Sequence, residues 1–145
     1  MIQRIQSIFL LICSTTFFGL FGVPFATSRV PIPYLFGDLT YNIQDSPVLL
    51  AMAVFGGLVS LIAIFLYNKR PVQLKLAYLS TVLSILLPLV VVLLVYNEGT
   101  ATTQADKIDD GVGVYLPVIG IICSILAARY IAKDENTVKS MDRLR

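Results

Sequence analysis

The chain divides into four long apolar runs separated by short polar segments, and no charged residue lies deep inside any run. The runs cover residues 5–27, 48–67, 74–96 and 112–132. Each is close to the roughly 20 residues with which a helix crosses about 30 Å of hydrocarbon. Backbone amides in lipid must be satisfied within the segment, and barrel strands would be shorter and would alternate in polarity. The sequence therefore predicts an all-α membrane protein, a four-transmembrane-helix up-down bundle.

The composition agrees with a membrane protein rather than a soluble domain. Hydrophobic residues make up 57% of the chain and charged residues 14%, whereas soluble domains carry about 25% charged residues. At 145 residues we expect one membrane domain. It would have outward loops at residues 28–47 and 97–111, a cytoplasmic loop at 68–73 and a cytoplasmic helical tail at 133–145.

Lysine and arginine are distributed unevenly among the connecting segments. They concentrate at the amino terminus, between the second and third runs, and around the end of the fourth, whereas the other two loops hold only Arg29 and Lys107. This bias predicts that both termini are cytoplasmic. Together with Lys75, the residues of the predicted basic cytoplasmic face are Arg4, Lys69, Arg70, Arg129, Lys133, Lys139, Arg143 and Arg145.

The first run could also be a cleaved signal peptide, because Arg4 precedes it and small residues follow it. Its apolar stretch is longer than the about 7 to 15 residues of a signal sequence, and three more runs follow. We therefore interpret it as an uncleaved membrane anchor.

The first outward loop contains Pro31, Pro33 and Pro47, which exclude a continuous helix. Apolar and polar residues alternate from 39 to 43, and Gly37-Asp38 is suited to a tight turn. This loop is either a small interfacial hairpin or an irregular segment. The second outward loop is acidic, but its spacing matches no calcium-binding loop, so we expect it to be solvated.

Small residues recur at helical spacing in several runs, which allows helices to approach each other closely. The pattern serves either packing within the bundle or docking onto another protein. The residues predicted to form these contacts are Gly120, Ser124 and Ala128 in the fourth run and Gly56, Gly57 and Ser60 in the second.

The chain lacks the residues that usually carry catalysis or proton-coupled transport in a membrane. It has no histidine, and all its carboxylates lie outside the apolar runs, whereas proton-coupled carriers keep an ionisable group at membrane depth. Cys13 and Cys123 lie at similar depths, about 12 Å from the cytoplasmic edge, so the two thiols could meet. Neither has a basic neighbour that would make it reactive, so we interpret both as packing residues. The sequence predicts no enzyme, no cofactor, no metal site and no nucleic-acid partner.

The tail is the most distinctive polar segment and should continue the fourth run as a helix. Glu135 and Lys139 are four residues apart in the favourable order, and Val138, Met141 and Leu144 form a narrow apolar stripe. The tail either contacts anionic headgroups or a partner protein, or is a solvated extension that enforces the topology.

Three segments carry a resemblance to a known family. They are the opening MIQRIQSIFL, the turn NKRPVQLK at 68–75, and the closing ARYIAKDE and SMDRLR segments. The chain resembles a bacterial family of short four-span membrane proteins of unknown function. This resemblance implies a bacterial plasma (inner) membrane location and brings no activity or ligand with it.

Two functional hypotheses follow. The first is a non-enzymatic accessory subunit or scaffold that docks onto a larger membrane protein complex through small-residue helix faces and the basic face. The second is a homo-oligomeric small-solute transporter or channel lined by hydroxyl groups rather than charges. Its candidate lining residues are Thr15, Thr16, Ser80, Thr81 and Ser84.

Overall fold

The computed structural model describes residues 3–29, 38–99 and 108–142. Four α-helices and three short strands follow one another along the chain. Their order is α1 (Gln3–Gly19), β1 (Ala26–Ser28), β2 (Thr40–Tyr41), α2 (Pro47–Phe65), α3 (Arg70–Gly99), β3 (Ile108–Asp110) and α4 (Tyr115–Asp142). Short 3-10 helices at Ile43–Asp45 and Val112–Val114 precede α2 and α4.

The four helices form a bundle in which each helix packs on two neighbours. α1 contacts α2 and α4, and α3 contacts the same two helices. α1 and α4 run antiparallel, because Gln6 lies beside Tyr130 while Gly19 lies beside Leu116. We call the end with the start of α1, the α2–α3 turn and the second half of α4 the basic end. The opposite end, which carries the strands, is the sheet end.

Three of the helices are long and apolar enough to cross a membrane. The qualifying segments are Pro47–Phe65, Arg70–Val95 and Val112–Ser140, while the apolar part of α1, Ile5–Gly19, is shorter. The prediction of a mainly helical protein is thus confirmed, and three of its helices have the length and hydropathy that a membrane span requires. Large apolar side chains such as Phe55, Ile62, Val92 and Ile122 are exposed on the outside of the bundle, which is the arrangement that lipid requires.

The first helix is shorter than the first apolar run predicted. The run extends to Thr27, but α1 ends at Gly19, and tight turns follow in which Phe21 N–H donates to Phe18 O and Gly22 N–H to Gly19 O. Pro24 comes next, and a proline disfavours helical backbone in the residue before it. The apolar residues beyond α1 therefore pack at the sheet end, where Phe25 is almost completely buried.

A three-stranded antiparallel sheet covers the sheet end, in the order β2-β1-β3. Ala26 lies opposite both Tyr41 and Asp110. The hairpin considered for residues 28–47 thus has a counterpart in the pairing of β1 with β2, although its proposed turn at Gly37 lies outside the described residues. The all-α prediction does not include the pairing of β3 with β1, because β3 comes from residues 97–111, which the sequence predicts to be a solvated loop.

Other boundaries also differ from the prediction. The turn between α2 and α3 is shorter than the predicted 68–73 loop, since α3 already begins at Arg70. α4 continues to Asp142 without a break, so the predicted tail is helical over its described residues.

Candidate functional site

The centre of the bundle contains a small cluster of hydroxyl and thiol groups. Ser60 Oγ lies 2.7 Å from Ser80 Oγ, and Cys13 Sγ lies 3.2 Å from Ser80 Oγ and 3.7 Å from Ser60 Oγ. These three residues come from α2, α3 and α1, and all are fully buried. Ser60 also donates to Gly56 O at 2.9 Å. The cluster therefore joins three helices through polar contacts that lipid cannot replace.

A second polar contact lies one turn closer to the sheet end, where α4 meets α1 and α3. A Cβ at Gly120 would lie 2.9 Å from Thr16 Oγ1 and 3.3 Å from Ser84 Oγ. Thr16 donates to Cys13 O at 2.7 Å, whereas Ser84 Oγ is buried with no hydrogen-bond partner among the described residues. Gly120 thus lets three helices approach closely around two hydroxyl groups.

The small residues that the sequence singled out lie inside the bundle. Gly56 and Gly57 of α2 receive the rings of Phe17 and Phe18, and Ser14 Oγ donates to Gly57 O at 3.1 Å. On α4, Ser124 and Ala128 are buried like Gly120. These residues therefore pack the helices of this chain against one another, and their faces are not exposed for a second protein.

The thiols and hydroxyls of the described residues are divided between the interior and the surface of the bundle. Cys13 and Cys123 are both free and belong to the same buried core. Thr15 is exposed and Thr81 lies at the outer surface of α3, whereas Thr16 and Ser80 are buried. The hydroxyls predicted to line a pore thus differ in their exposure, and the pore stays a prediction. Within residues 3–29, 38–99 and 108–142 there is no group of three or more side chains that could hold a metal ion.

Two ion pairs lie at the basic end, one between α3 and α4 and one within α4. Arg70 Nε lies 3.3 Å from Asp134 Oδ2, and both side chains are largely buried. That carboxylate oxygen makes no hydrogen bond, so the contact is an ion pair without hydrogen-bond alignment. Lys139 Nζ lies 2.7 Å from Glu135 Oε1 one turn along α4, as the spacing of these residues favours.

Four further basic residues at this end have no acidic partner among the described side chains. Asp134 and Glu135 are already paired, and no described carboxylate lies within 4.0 Å of Lys69, Lys75, Arg129 or Lys133. All four of these side chains are exposed. The predicted basic face therefore keeps a net positive charge. The side chain of Arg4, and all of Arg143 and Arg145, lie outside the described residues.

A cleft of about 320 Å³ opens between the α2–α3 turn and α4 at the basic end. Its walls combine apolar, aromatic and charged side chains. They are Tyr67, Asn68, Arg70, Pro71, Glu135, Val138 and Lys139. Val138, from the predicted apolar stripe of the tail, thus faces this cleft.

Polar and aromatic contacts also hold α1 against α4 near the basic end. Gln6 is buried and its Nε2 donates to Tyr130 O at 3.2 Å. The rings of Phe9 and Tyr130 stack with centroids 5.7 Å apart. The sequence prediction did not include Gln6, although a polar side chain within an apolar run indicates a position that needs a hydrogen-bond partner.

The sequence of this chain matches one known protein family. A family model described as "Domain of unknown function (DUF4293)" matches residues 2–144. The chain belongs to this family. The match confirms the resemblance to a family of unknown function, and the DUF4293 region includes the whole bundle, the sheet and the basic end. No curated protein and no solved structure matches the chain.

The Arg70–Asp134 pair should contribute measurably to the stability of this DUF4293 domain. Replacing Arg70 with glutamine leaves the Asp134 carboxylate largely buried without its cation, so we expect the free energy of unfolding to fall by about 1 to 3 kcal/mol. Lys69→Gln is the matched control, because Lys69 is the exposed neighbour without a partner, and it should change little. Thermal unfolding of each purified variant in detergent measures the change in stability. Equal effects of the two substitutions would show that the ion pair contributes nothing specific.

Proposed function

We propose that this protein is a non-enzymatic accessory subunit or scaffold of a larger complex in a bacterial plasma membrane. The observation that carries the proposal is the contrast between the two parts of the molecule. In the interior, the Ser60 and Ser80 hydroxyls contact each other and hold α2 against α3, whereas the basic end exposes four cations with no acidic partner among the described side chains. These exposed cations are suited to binding an acidic surface and not to converting a substrate.

The proposed topology has four membrane spans, with both termini in the cytoplasm. α1 has only 17 residues, or about 25 Å of helix. It nevertheless lies against α4 from Tyr130 to Leu116, along the part of α4 that is apolar enough to cross a membrane. The excess of lysine and arginine at the basic end supports a cytoplasmic location for that end.

Docking through the basic end is the form of the proposal that the geometry favours. The small-residue faces are buried within the bundle, so they are occupied by this chain's own helices. The cleft beside Tyr67 and Val138 combines an apolar surface with adjacent positive charge. A cytoplasmic segment of a partner that carries carboxylates beside apolar side chains would complement both features.

The proposal is tested by purifying the tagged protein from its native membrane in a gentle detergent and identifying stoichiometric partners by mass spectrometry. We expect one large partner with the wild type and with the charge-conserving Lys69→Arg/Lys75→Arg variant. The charge-reversing Lys69→Glu/Lys75→Glu variant should copurify with much less of this partner. A homo-oligomer without a partner would contradict the proposal and direct attention to solute flux in liposomes. Equal recovery of the partner with both variants would exclude docking through these lysines.

A further inference from the structure

A second concave surface lies on the side of the bundle, between α3 and α4. It is a groove of about 210 Å³ lined by Tyr78, Thr81, Ile125, Ala128 and Arg129. Such a volume is below the about 300 to 1,000 Å³ of pockets for whole drug-sized ligands. The groove can hold only a small polar group, and the rest of the molecule that carries this group must lie outside the groove.

The groove lies slightly deeper in the proposed membrane than the terminal lysines. Arg129 precedes Lys133 by four residues along α4, and Tyr78 follows Lys75 by three residues along α3. At the helical rise of about 1.5 Å per residue, each lies about 4 to 6 Å further toward the bilayer centre. This is the depth at which phosphate groups and amphipathic aromatic rings meet the hydrocarbon.

The polar groups of the groove have unused hydrogen-bonding capacity. Arg129 makes no ion pair or side-chain hydrogen bond with any described residue, and neither does the Tyr78 hydroxyl. The Thr81 hydroxyl, by contrast, donates to Ala77 O at 3.0 Å. A planar guanidinium can donate two parallel hydrogen bonds to a phosphate.

An apolar surface continues from the groove toward the membrane centre. Ile122 precedes Ile125 by three residues and Ile85 follows Thr81 by four, so each lies on the same helix face as its partner. Ile122, Ile125 and Ile85 are all exposed. Acyl chains attached to a phosphate in the groove would therefore lie along this surface.

We infer that this groove is a binding site for one anionic phospholipid, whose phosphate contacts Arg129 and Tyr78 and whose acyl chains lie against Ile125 and Ile122. The charge complementarity between an unpaired guanidinium and a phosphate carries the inference. It rests on the proposed membrane location but not on docking to a partner protein. The site lies on the side of the bundle, apart from the α2–α3 turn at which docking is proposed.

The inference is tested with the purified protein alone, so that it fails or succeeds separately from the docking proposal. Native mass spectrometry counts the phosphatidylglycerol molecules retained after reconstitution with phosphatidylglycerol and phosphatidylcholine mixtures. We expect one retained phosphatidylglycerol in the wild type and about a tenfold weaker affinity in Arg129→Gln, because charge-assisted hydrogen bonds are lost. Lys133→Gln removes a charge one turn away and should have a much smaller effect.

Two further variants separate specific binding from general attraction. Arg129→Lys keeps the charge but loses the two parallel donors, and Tyr78→Phe keeps the ring but loses the hydroxyl; both should weaken binding less than Arg129→Gln. Equal weakening by Arg129→Gln and Lys133→Gln would overturn the inference in favour of diffuse electrostatic attraction. Equal retention of phosphatidylcholine and phosphatidylglycerol by the wild type would also overturn it.

Discussion

Replacing Gly111 with alanine should lower the free energy of unfolding by about 3 kcal/mol. A Cβ at this position would meet the Pro24 carbonyl oxygen and lie 2.8 Å from the Phe25 carbonyl carbon. These are backbone atoms, which cannot rotate away as a side chain can. Gly111 N–H also donates to Phe25 O at 2.8 Å, so relieving the collision breaks a contact between the segment after α1 and the segment before α4.

Thermal unfolding in detergent measures this effect. The chain has no tryptophan, but its two cysteines are buried, so a dye that becomes fluorescent on reacting with thiols reports their exposure. Gly22→Ala is the matched control, because the closest atom to its Cβ would be at an ordinary 3.7 Å. An unfolding temperature of Gly111→Ala equal to that of Gly22→Ala would show that Gly111 does not lie against Pro24 and Phe25 in this way.

Replacing Gly120 with leucine should destabilise the bundle by a similar or larger amount, about 3 kcal/mol or more. The added side chain would enter the space occupied by Thr16 and Ser84, which belong to α1 and α3. All three helices at this point would have to separate. Gly120→Ala should have a smaller effect, since the closest atoms are hydroxyl oxygens at the ends of short side chains.

Ala51→Leu is the matched control for this second prediction, because it also places a leucine on a helix but at an exposed position of α2. The same thiol-exposure measurement applies. The experiment also separates packing from docking. If Gly120→Leu unfolds like the wild type yet loses a copurifying partner, Gly120 faces that partner and its interior placement is wrong.

The helical part of the fold could be predicted because its signals are local. A run such as Val48 to Phe65 is apolar throughout, and Pro47 at the first position of α2 marks its start. The predicted first helix extends past the end of α1 at Gly19. The reason is that hydropathy does not distinguish a residue buried in protein from one in lipid. Phe25 is apolar in sequence and buried under the sheet in the structure.

The sheet and the partners of the polar residues could not be predicted because they depend on contacts between distant segments. Ala26 pairs with Asp110, and nothing near either residue in sequence indicates the other. Similarly, Cys13, Ser60 and Ser80 each appear as an isolated small residue until three helices bring them together. For the basic face, the sequence indicated the location of the charges. It did not indicate that Arg70 is paired with Asp134 while Arg129 is left without a carboxylate.

The pairing of β1 with both of its neighbours also constrains the order in which the molecule can assemble. β1 is made soon after α1, but its partner β3 follows only after α2 and α3. During synthesis, the inner strand of the sheet therefore has one open edge until Ile108–Asp110 have been made. Closing this edge requires a contact between segments far apart in sequence, which is a slow type of step in folding. The sheet end therefore cannot close before three of the four described helices have been made.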